Sequence, residues 1–251
     1  MRSYLIAGNW KMHGRRDAVV ELLAGLKTQL PAEPGADIAV FPPAIYIDLV
    51  SRELQGAPVA VGAQNVCDQS KDGAFTGEVS AEMLRDMGCR YVIVGHSERR
   101  ELYGESSALV AQRAKAAIEA GLTPLVCVGE NEAQRDAGNT LDVVGEQLTA
   151  VIKVLSTQQL GSIVVAYEPV WAIGTGKTAT PAQAQEVHAF IRASLAKQSE
   201  EIAATVRIVY GGSVKAGSAG ELFAQPDIDG GLVGGASLDA GEFSAICRAA
   251  E

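Results

Sequence analysis

The sequence has 251 residues, enough for one large domain or two small ones, and 47% of them are hydrophobic, as in ordinary globular proteins. Its net charge of −9, from 21 Lys and Arg against 30 Asp and Glu, disfavours binding to nucleic acid and to anionic membrane surfaces. No run approaches the roughly 18 apolar residues of a membrane helix, so we expect neither nucleic acid nor a membrane as a partner.

The cysteines and the first residues indicate where the protein works. Four cysteines are scattered along the chain without a CxxC pair or metal-ligand spacing: Cys67, Cys89, Cys127 and Cys247. They are typical of reduced thiols in the cytoplasm. The first apolar stretch ends at Asn9 and Lys11, which makes it too short for the core of a signal peptide. We therefore expect a soluble, cytoplasmic protein.

Short apolar or β-branched runs recur along the chain with helix-like segments between them, a pattern typical of βα units around a parallel sheet. They predict eight strands: Tyr4–Ala7, Asp37–Phe41, Val59–Gly62, Tyr91–Gly95, Thr123–Val128, Ile163–Tyr167, Val206–Tyr210 and Gly231–Val233. Eight units favour a closed α/β barrel over an open doubly wound sheet, since no GxGxxG follows an early strand. Because no linker divides the chain, we predict a single (β/α)8 domain over residues 1–251.

The segments between the runs have the apolar periodicity of helices that pack on a sheet. Two apolar stripes consist of Val19, Leu22, Leu23, Leu26 and Leu30, and of Val187, Phe190, Ile191 and Leu195. The second helix has a predicted N-cap, Thr180, followed by Pro181 and by Gln183 in the capping-box position. Gly121 is placed to end the helix before the fifth strand.

Polar and glycine-rich segments follow five of the eight runs, at the end of a barrel where active sites lie. In chain order they are NWK at 9–11, GHSERR at 95–100, YEPVWAIGTGKTAT at 167–180, YGGSV at 210–214 and VGGAS at 233–237. In this order and spacing they resemble the triosephosphate isomerase family over essentially the whole chain. The resemblance implies a TIM barrel and a homodimer. It also implies interconversion of dihydroxyacetone phosphate and glyceraldehyde 3-phosphate in glycolysis and gluconeogenesis, without a metal or organic cofactor.

A proton that moves between neighbouring carbons needs a base that reaches both, and the motif makes Glu168 that base. Loss of the proton leaves an enediolate, whose negative oxygen needs a hydrogen-bond donor aimed at it. The resemblance gives this role to His96. Ser97 and Glu98 are predicted to open a short helix, whose N-terminal amides disfavour the imidazolium, so we expect a neutral ring.

Binding of an anionic substrate by an acidic protein requires local cations and backbone N–H groups. Lys11 is the cation expected at the mouth of the barrel, and Asn9 is expected to orient it and to bind substrate oxygens. Glu98 is expected to pair with Lys11 or with its neighbours, and Arg99 to brace loops. By the resemblance, the phosphate contacts are Gly174, Ser213, Gly234 and Gly235.

Two loops carry further expectations. Residues 169–178 read as a lid whose closure would exclude water from an intermediate that can otherwise lose phosphate. The long loop after the third strand, by the resemblance, docks into a second subunit. His13 and His188 lie outside the strand-end motifs, and the three histidines do not form a metal cluster.

Other phosphate-binding barrels and a non-catalytic protein are the alternatives. A metal-dependent epimerase needs His and Asp ligands at strand ends, and a Schiff-base aldolase needs a buried lysine there; the sixth strand ends in Glu168 instead. A sugar-phosphate sensor would have lost Glu168 or His96, and both are present. The isomerase is therefore the favoured function.

Overall fold

The strands of the computed structural model, which describes residues 2–250, form a closed parallel barrel in sequence order. They are β1 Leu5–Asn9, β2 Asp37–Phe41, β3 Ala60–Ala63, β4 Tyr91–Val94, β5 Thr123–Val128, β6 Val164–Tyr167, β7 Arg207–Tyr210 and β8 Gly230–Val233. Each pairs in parallel with the next, and β1 pairs with β8 to close the barrel. The predicted (β/α)8 architecture is confirmed.

The boundaries of β1 differ most from the prediction. The expected strand ended at Ala7, whereas backbone pairing with β2 continues through Gly8 to Asn9, which lies opposite Phe41. Glycine and asparagine have low strand propensity, but pairing with neighbours on both sides outweighs that preference. Asn9 therefore starts from a fixed strand position rather than from a loop.

Helices follow the strands and cover the barrel. Across residues 2–250 they are α1 Arg16–Gln29, α2 Ile47–Glu53, α3 Ala81–Asp86, α4 Ser97–Tyr103, α5 Ser107–Glu119, α6 Glu132–Asp136, α7 Thr140–Val154, α8 Thr157–Leu160, α9 Pro181–Ala196, α10 Glu200–Thr205, α11 Ala216–Phe223 and α12 Ala240–Arg248. Short 3₁₀ helices span Ala44–Tyr46, Val170–Ala172 and Gly235–Leu238. None of the helices in this part of the chain is long and apolar enough to cross a membrane.

The helix signals read from the sequence are confirmed. Thr180 caps α9 by accepting a hydrogen bond from the Gln183 amide, and the Gln183 side chain completes the capping box. Gly121 follows α5 with a φ of +79°, a left-handed conformation that favours glycine. Both apolar stripes face the barrel, although Leu22 and Phe190 are only partly buried.

Side chains alternate between the barrel interior and the layer under the helices. The interior cluster is formed by Leu5, Ala7, Ala39, Phe41, Tyr91, Ile93, Leu125, Cys127, Val164, Ala166, Val209 and Leu232. Intervening residues, such as Ile6 and Val165, pack in the second cluster against the helices. Since the barrel is filled by side chains, a ligand site has to lie at its mouth.

Candidate active site

A cavity of about 330 Å³ lies at the carboxyl end of the strands. It is lined by seven of the eight predicted site residues: Asn9, Lys11, His96, Gly174, Ser213, Gly234 and Gly235. The eighth, Glu168, lies directly behind this lining, because its Cγ would be only 2.8 Å from a Cβ added at Gly211, itself a lining residue. The structure therefore brings residues from five strand ends to one place.

The carboxylate of Glu168 is buried, with 1% of the residue exposed, and is held by three donors. The amide of Ser97 donates to Oε2 at 2.9 Å, the hydroxyl of Ser97 donates to Oε1 at 3.1 Å, and Nε2 of His96 is 3.0 Å from Oε1. Burial alone would raise the pKa of Glu168, but His96 and the Ser97 amide lower it below its ordinary value. The carboxylate is therefore ionised at neutral pH.

His96 is the N-cap of α4, and its Nδ1 accepts a hydrogen bond from the Glu98 amide at 3.2 Å. In a neutral ring the hydrogen then lies on Nε2, the nitrogen that faces Glu168. Burial lowers the pKa of His96, but the charge of Glu168 raises it further, so the net shift is upward. In this arrangement the carboxylate outweighs the predicted effect of the helix amides. If Glu168 moves away, burial and the helix terminus both favour the neutral ring.

Lys11 and Asn9 are fixed by contacts with three other segments. Nζ of Lys11 is 2.5 Å from Oε1 of Glu98, as predicted, and its amide donates to Oδ1 of Asn9 at 2.9 Å. The side chain of Gln64 donates to the carbonyl oxygens of Lys11 and Phe41 at 2.7 and 2.8 Å. Lys11 has a φ of +51°, a strained conformation for a residue with a side chain. These contacts hold that strained turn in place.

Two glycines after β8 leave one part of the cavity wall open to a ligand. An added Cβ would meet nothing within 4 Å at Gly235 and only Cε of Lys11, at 3.5 Å, at Gly234. Gly235 also begins a 3₁₀ helix, whose first amides attract an anion. The backbone here can approach a phosphate without obstruction by side chains.

The comparisons with known proteins identify the family of the chain. The family model for triosephosphate isomerase matches residues 4–250. The chain belongs to the triosephosphate isomerase family. It is 57% identical over 250 residues to the triosephosphate isomerase of Pseudomonas aeruginosa (strain LESB58), covering 100% of this chain and 99% of that protein. With the same coverage, it is 58% identical over 251 residues to that of Ectopseudomonas mendocina (strain ymp) and 55% identical to that of Pseudomonas entomophila (strain L48).

Membership of the triosephosphate isomerase family confirms the resemblance seen in the motifs, and it makes the chain an isomerase. The alignments with these relatives cover the whole chain, so they span every strand-end segment. Within residues 2–250, no three His, Cys, Asp or Glu residues form a group that could hold a metal ion.

The lid is anchored at its first hinge by Glu130, which sequence reasoning did not single out. Oε1 of Glu130 accepts hydrogen bonds from the Trp171 ring at 2.9 Å and from the Tyr167 hydroxyl at 3.2 Å. The amide of Val170 also donates to the Glu130 carbonyl at 3.0 Å. The available signal was its position two residues after β5, at a strand end like the other site residues.

The tip of the predicted lid borders a further space besides the cavity. A space of about 640 Å³ lies between the lid residues Gly174 and Gly176 and the segment with Ser213 and Lys215. Both glycines have a φ near +75°, at +71° and +80°. This left-handed backbone explains the glycines of the GTG sequence, since other residues adopt it only with strain.

Four more residues at the site were missed or set aside. Ser97 was expected only to open a helix, and it holds the carboxylate of Glu168. Gly129 permits close approach of two strands, since a Cβ there would lie within 2 Å of the Glu168 carbonyl oxygen. Lys215 lines the cavity, and so does His13, which had been left outside the site. The sequence did contain a signal for Lys215, because it is a cation directly after the YGGSV segment in an acidic protein.

Proposed function

We propose that the chain interconverts dihydroxyacetone phosphate and D-glyceraldehyde 3-phosphate through an enediolate, as a cofactor-independent aldose-ketose isomerase. One observation carries the assignment of residues. The buried, ionised carboxylate of Glu168 is 3.0 Å from Nε2 of His96. His96 lines the cavity together with Lys11 and two glycine loops, and Glu168 lies behind that lining. A base, an oxyanion donor, a cation and a phosphate cradle are thus adjacent.

Glu168 is the proposed catalytic base. It leaves Ser97, removes a proton from C1 of the ketose and returns a proton to C2, while the hydroxyl proton passes from the C1 oxygen to the C2 oxygen, which yields the aldose. Such a positioned base contributes on the order of 10²–10⁴ in rate, so other groups have to supply the rest. Gly211 leaves room for the required movement, because it has no side chain against the Glu168 Cγ.

His96 and Lys11 are proposed to stabilise the enediolate. Nε2 of His96 donates to the substrate oxygens once Glu168 has turned to carbon, and the cation of Lys11 lies on the same cavity wall. Asn9 orients Lys11 through the hydrogen bond to its amide and offers its own amide to substrate oxygens. The Glu98 carboxylate that pairs with Lys11 keeps the ammonium aimed at the cavity.

The amides of Gly174, Ser213, Gly234 and Gly235 are proposed to bind the phosphate. All four residues line the cavity, and closure of the lid across the space beside Ser213 would bring the Gly174 amide onto the phosphate. Closure excludes water and holds the C–O bond to phosphate out of alignment for elimination. The lid therefore protects the intermediate.

The assembly is proposed to be a homodimer. Large apolar side chains are exposed beside a second cavity of about 570 Å³, with Met12 at 94%, Leu102 at 71% and Tyr103 at 70% exposure. Such a patch is unusual on a monomer and marks an interface. Phe75, on the long loop between β3 and α3, is the apolar residue proposed to enter the same cavity of a second copy. Because Lys11 lines both cavities, the dimer supports the site.

The proposal also includes a cytoplasmic location, a single domain over residues 1–251 and no nucleic-acid partner. The supporting observations are the acidic net charge of −9 and four cysteines that are all buried.

A coupled assay with glyceraldehyde 3-phosphate, together with exchange of substrate hydrogen in heavy water, tests the function. The parent protein should isomerise and exchange, whereas Glu168→Gln should bind glycerol 3-phosphate with unchanged affinity and lose at least about 10²-fold in kcat. Glu146→Gln, the same change on the exposed face of α7, is the matched control and should behave as the parent. An inactive parent that binds glycerol 3-phosphate would instead identify a sensor.

A further inference from the structure

His188 is a fully buried histidine that the proposed mechanism does not use. It lies on α9, the helix that begins directly after the lid. Its Nδ1 is 3.2 Å from the carbonyl oxygen of Asp227, so Nδ1 carries the hydrogen and donates it. Burial lowers the pKa of His188 to about 4, and the ring is therefore neutral at neutral pH.

The ring of His188 packs against the two tyrosines that end β6 and β7. Its centroid is 5.8 Å from that of Tyr167, in an edge-on arrangement at 84°, and 6.4 Å from that of Tyr210. The two tyrosine rings are themselves 6.4 Å apart. These three buried side chains form one unit, which we call the three-ring cluster.

Both tyrosines of the three-ring cluster lie next to the first hinge of the lid. The Tyr167 hydroxyl and the Trp171 ring share the same oxygen of Glu130. The Tyr210 hydroxyl and Cγ of Pro169 both lie so close to Gly212 that a Cβ added there would overlap them. A single ring therefore supports both tyrosines that face this hinge.

Asp227 fixes the orientation of the histidine. Its carboxylate accepts hydrogen bonds from Arg192 Nε at 2.7 Å and from Gln185 Nε2 at 2.6 Å, both on α9. Its carbonyl oxygen then receives the Nδ1 hydrogen of His188. The ring is thus locked in a densely packed interior, where a displaced side chain moves its neighbours.

The geometry points to His188 as a positioning residue that sets the closure of the lid by holding Tyr167 and Tyr210 at its first hinge. This role rests on the proposed function, since the lid serves the enediolate. A poorly closed lid would let the intermediate expel phosphate with the C–O bonding electrons, which leaves a three-carbon dicarbonyl after tautomerisation. The share of turnovers that end in free phosphate therefore reports lid closure.

Three variants separate the ring from its hydrogen bond. His188→Phe keeps a ring and loses the donor to Asp227. His188→Leu loses both, and His188→Asn keeps a donor near the position of Nδ1 but loses the ring. If His188 only anchored α9 to Asp227, the Phe and Leu variants would release the same share of phosphate, and the Asn variant would be nearest the parent.

The experiment measures inorganic phosphate and isomer released by each variant, at a temperature well below its unfolding midpoint. The phosphate share should rise roughly two- to thirtyfold in His188→Leu and His188→Asn, the range for residues that couple two sites, and stay near the parent value in His188→Phe. Trp171 fluorescence during titration with glycerol 3-phosphate should show incomplete closure in the same two variants. Leu195→Ala, a buried change two turns further along α9, controls for lost stability alone.

Two outcomes would overturn the inference. One is a phosphate share in Leu and Asn variants equal to that of the parent or of Leu195→Ala. The other is the order expected of a helix anchor, with Phe and Leu alike. Should one ring-free variant fail to fold, the comparison of the other with His188→Phe still decides. Should His188→Phe fail, equal rises in Leu and Asn support the role of the ring, and a phosphate share in Asn near that of the parent refutes it. An inactive parent would instead refute the proposed function, so the two failures are distinguishable.

Discussion

Gly211→Ala is expected to damage catalysis by displacing the base rather than by removing it. An added Cβ would lie 2.8 Å from Cγ of Glu168 and 3.1 Å from the carbonyl oxygen of Tyr167. The φ of Gly211 is not in the left-handed region, so the effect is steric. The backbone cannot yield, because the Gly211 amide donates to that same carbonyl at 2.7 Å.

The size of the effect follows from the distance that has to be restored. Ordinary contact between the two carbons begins at 3.4 Å, so Cγ of Glu168 has to retreat by 0.6 Å. A misplacement of about 1 Å costs on the order of 100-fold in rate, and 0.6 Å therefore corresponds to roughly 10- to 100-fold in kcat. This loss equals roughly 1.4–2.7 kcal/mol of transition-state stabilisation.

The measurement is kcat and KM in the coupled assay, with the melting temperature recorded in parallel. Gly220→Ala is the control, because an added Cβ there meets nothing within 4 Å and the position is inside α11. That change should leave kcat unaltered and raise the free energy of unfolding by about 0.5–1 kcal/mol. If Gly211→Ala retained full kcat while it lowered stability, the placement of Glu168 would not depend on this contact.

Three further predictions concern pH, assembly and charge. Because His188 binds its proton with a pKa of about 4 when folded and about 6.5 when unfolded, the free energy of unfolding should fall by about 3 kcal/mol as the pH drops from 6.5 to 4. Denaturant titrations at several pH values give the free energy of unfolding, which should fall more steeply with falling pH in the parent than in His188→Phe. The same pH dependence in both proteins would contradict the assignment. Leu102→Glu should convert a dimer to a monomer in sedimentation, since it places a charge on the exposed apolar surface; an unchanged mass would locate the interface elsewhere. Lys215→Gln should raise KM roughly two- to fivefold and weaken its salt dependence, as expected of one exposed charge, while Lys153→Gln should do neither.

Local patterns were enough to predict the scaffold of this site. The strand from Thr123 to Val128 is a β-branched and apolar run with clear ends, and Thr180 carries a complete capping box, so both elements were predicted within a residue. The glycine pair after β8 was assigned through the resemblance of its motif to the family, and the rule that ligands bind at the carboxyl ends of barrel strands favoured the same place. Each of these signals lies within a few residues of what it predicts.

Contacts between distant segments were beyond such patterns. Ser97 and Glu168 are 71 positions apart, and nothing near either residue indicates that a serine amide holds the carboxylate. The same is true of Glu130 and Trp171 at the first hinge, 41 positions apart. His13 appeared irrelevant because it follows the motif, yet the turn at Lys11 brings it to the cavity wall. These placements depend on how neighbouring strand ends converge in three dimensions.

In the proposed mechanism, the resting position of Glu168 couples the lid to the base. Burial raises the pKa of Glu168, but His96 and the hydrogen bond from the Ser97 amide lower it further, so the buried carboxylate is ionised where it now lies. Each hydrogen bond to a charged group stabilises it by about 1.5–3 kcal/mol, and movement towards the substrate gives these bonds up. If the lid closes at the same time, water cannot replace them, and desolvation raises the pKa of the carboxylate as it meets the carbon-bound hydrogen. The base is therefore weak while it waits beside Ser97 and becomes strong only in the closed cavity, which explains why a hinge defect should reduce turnover as well as protection of the intermediate.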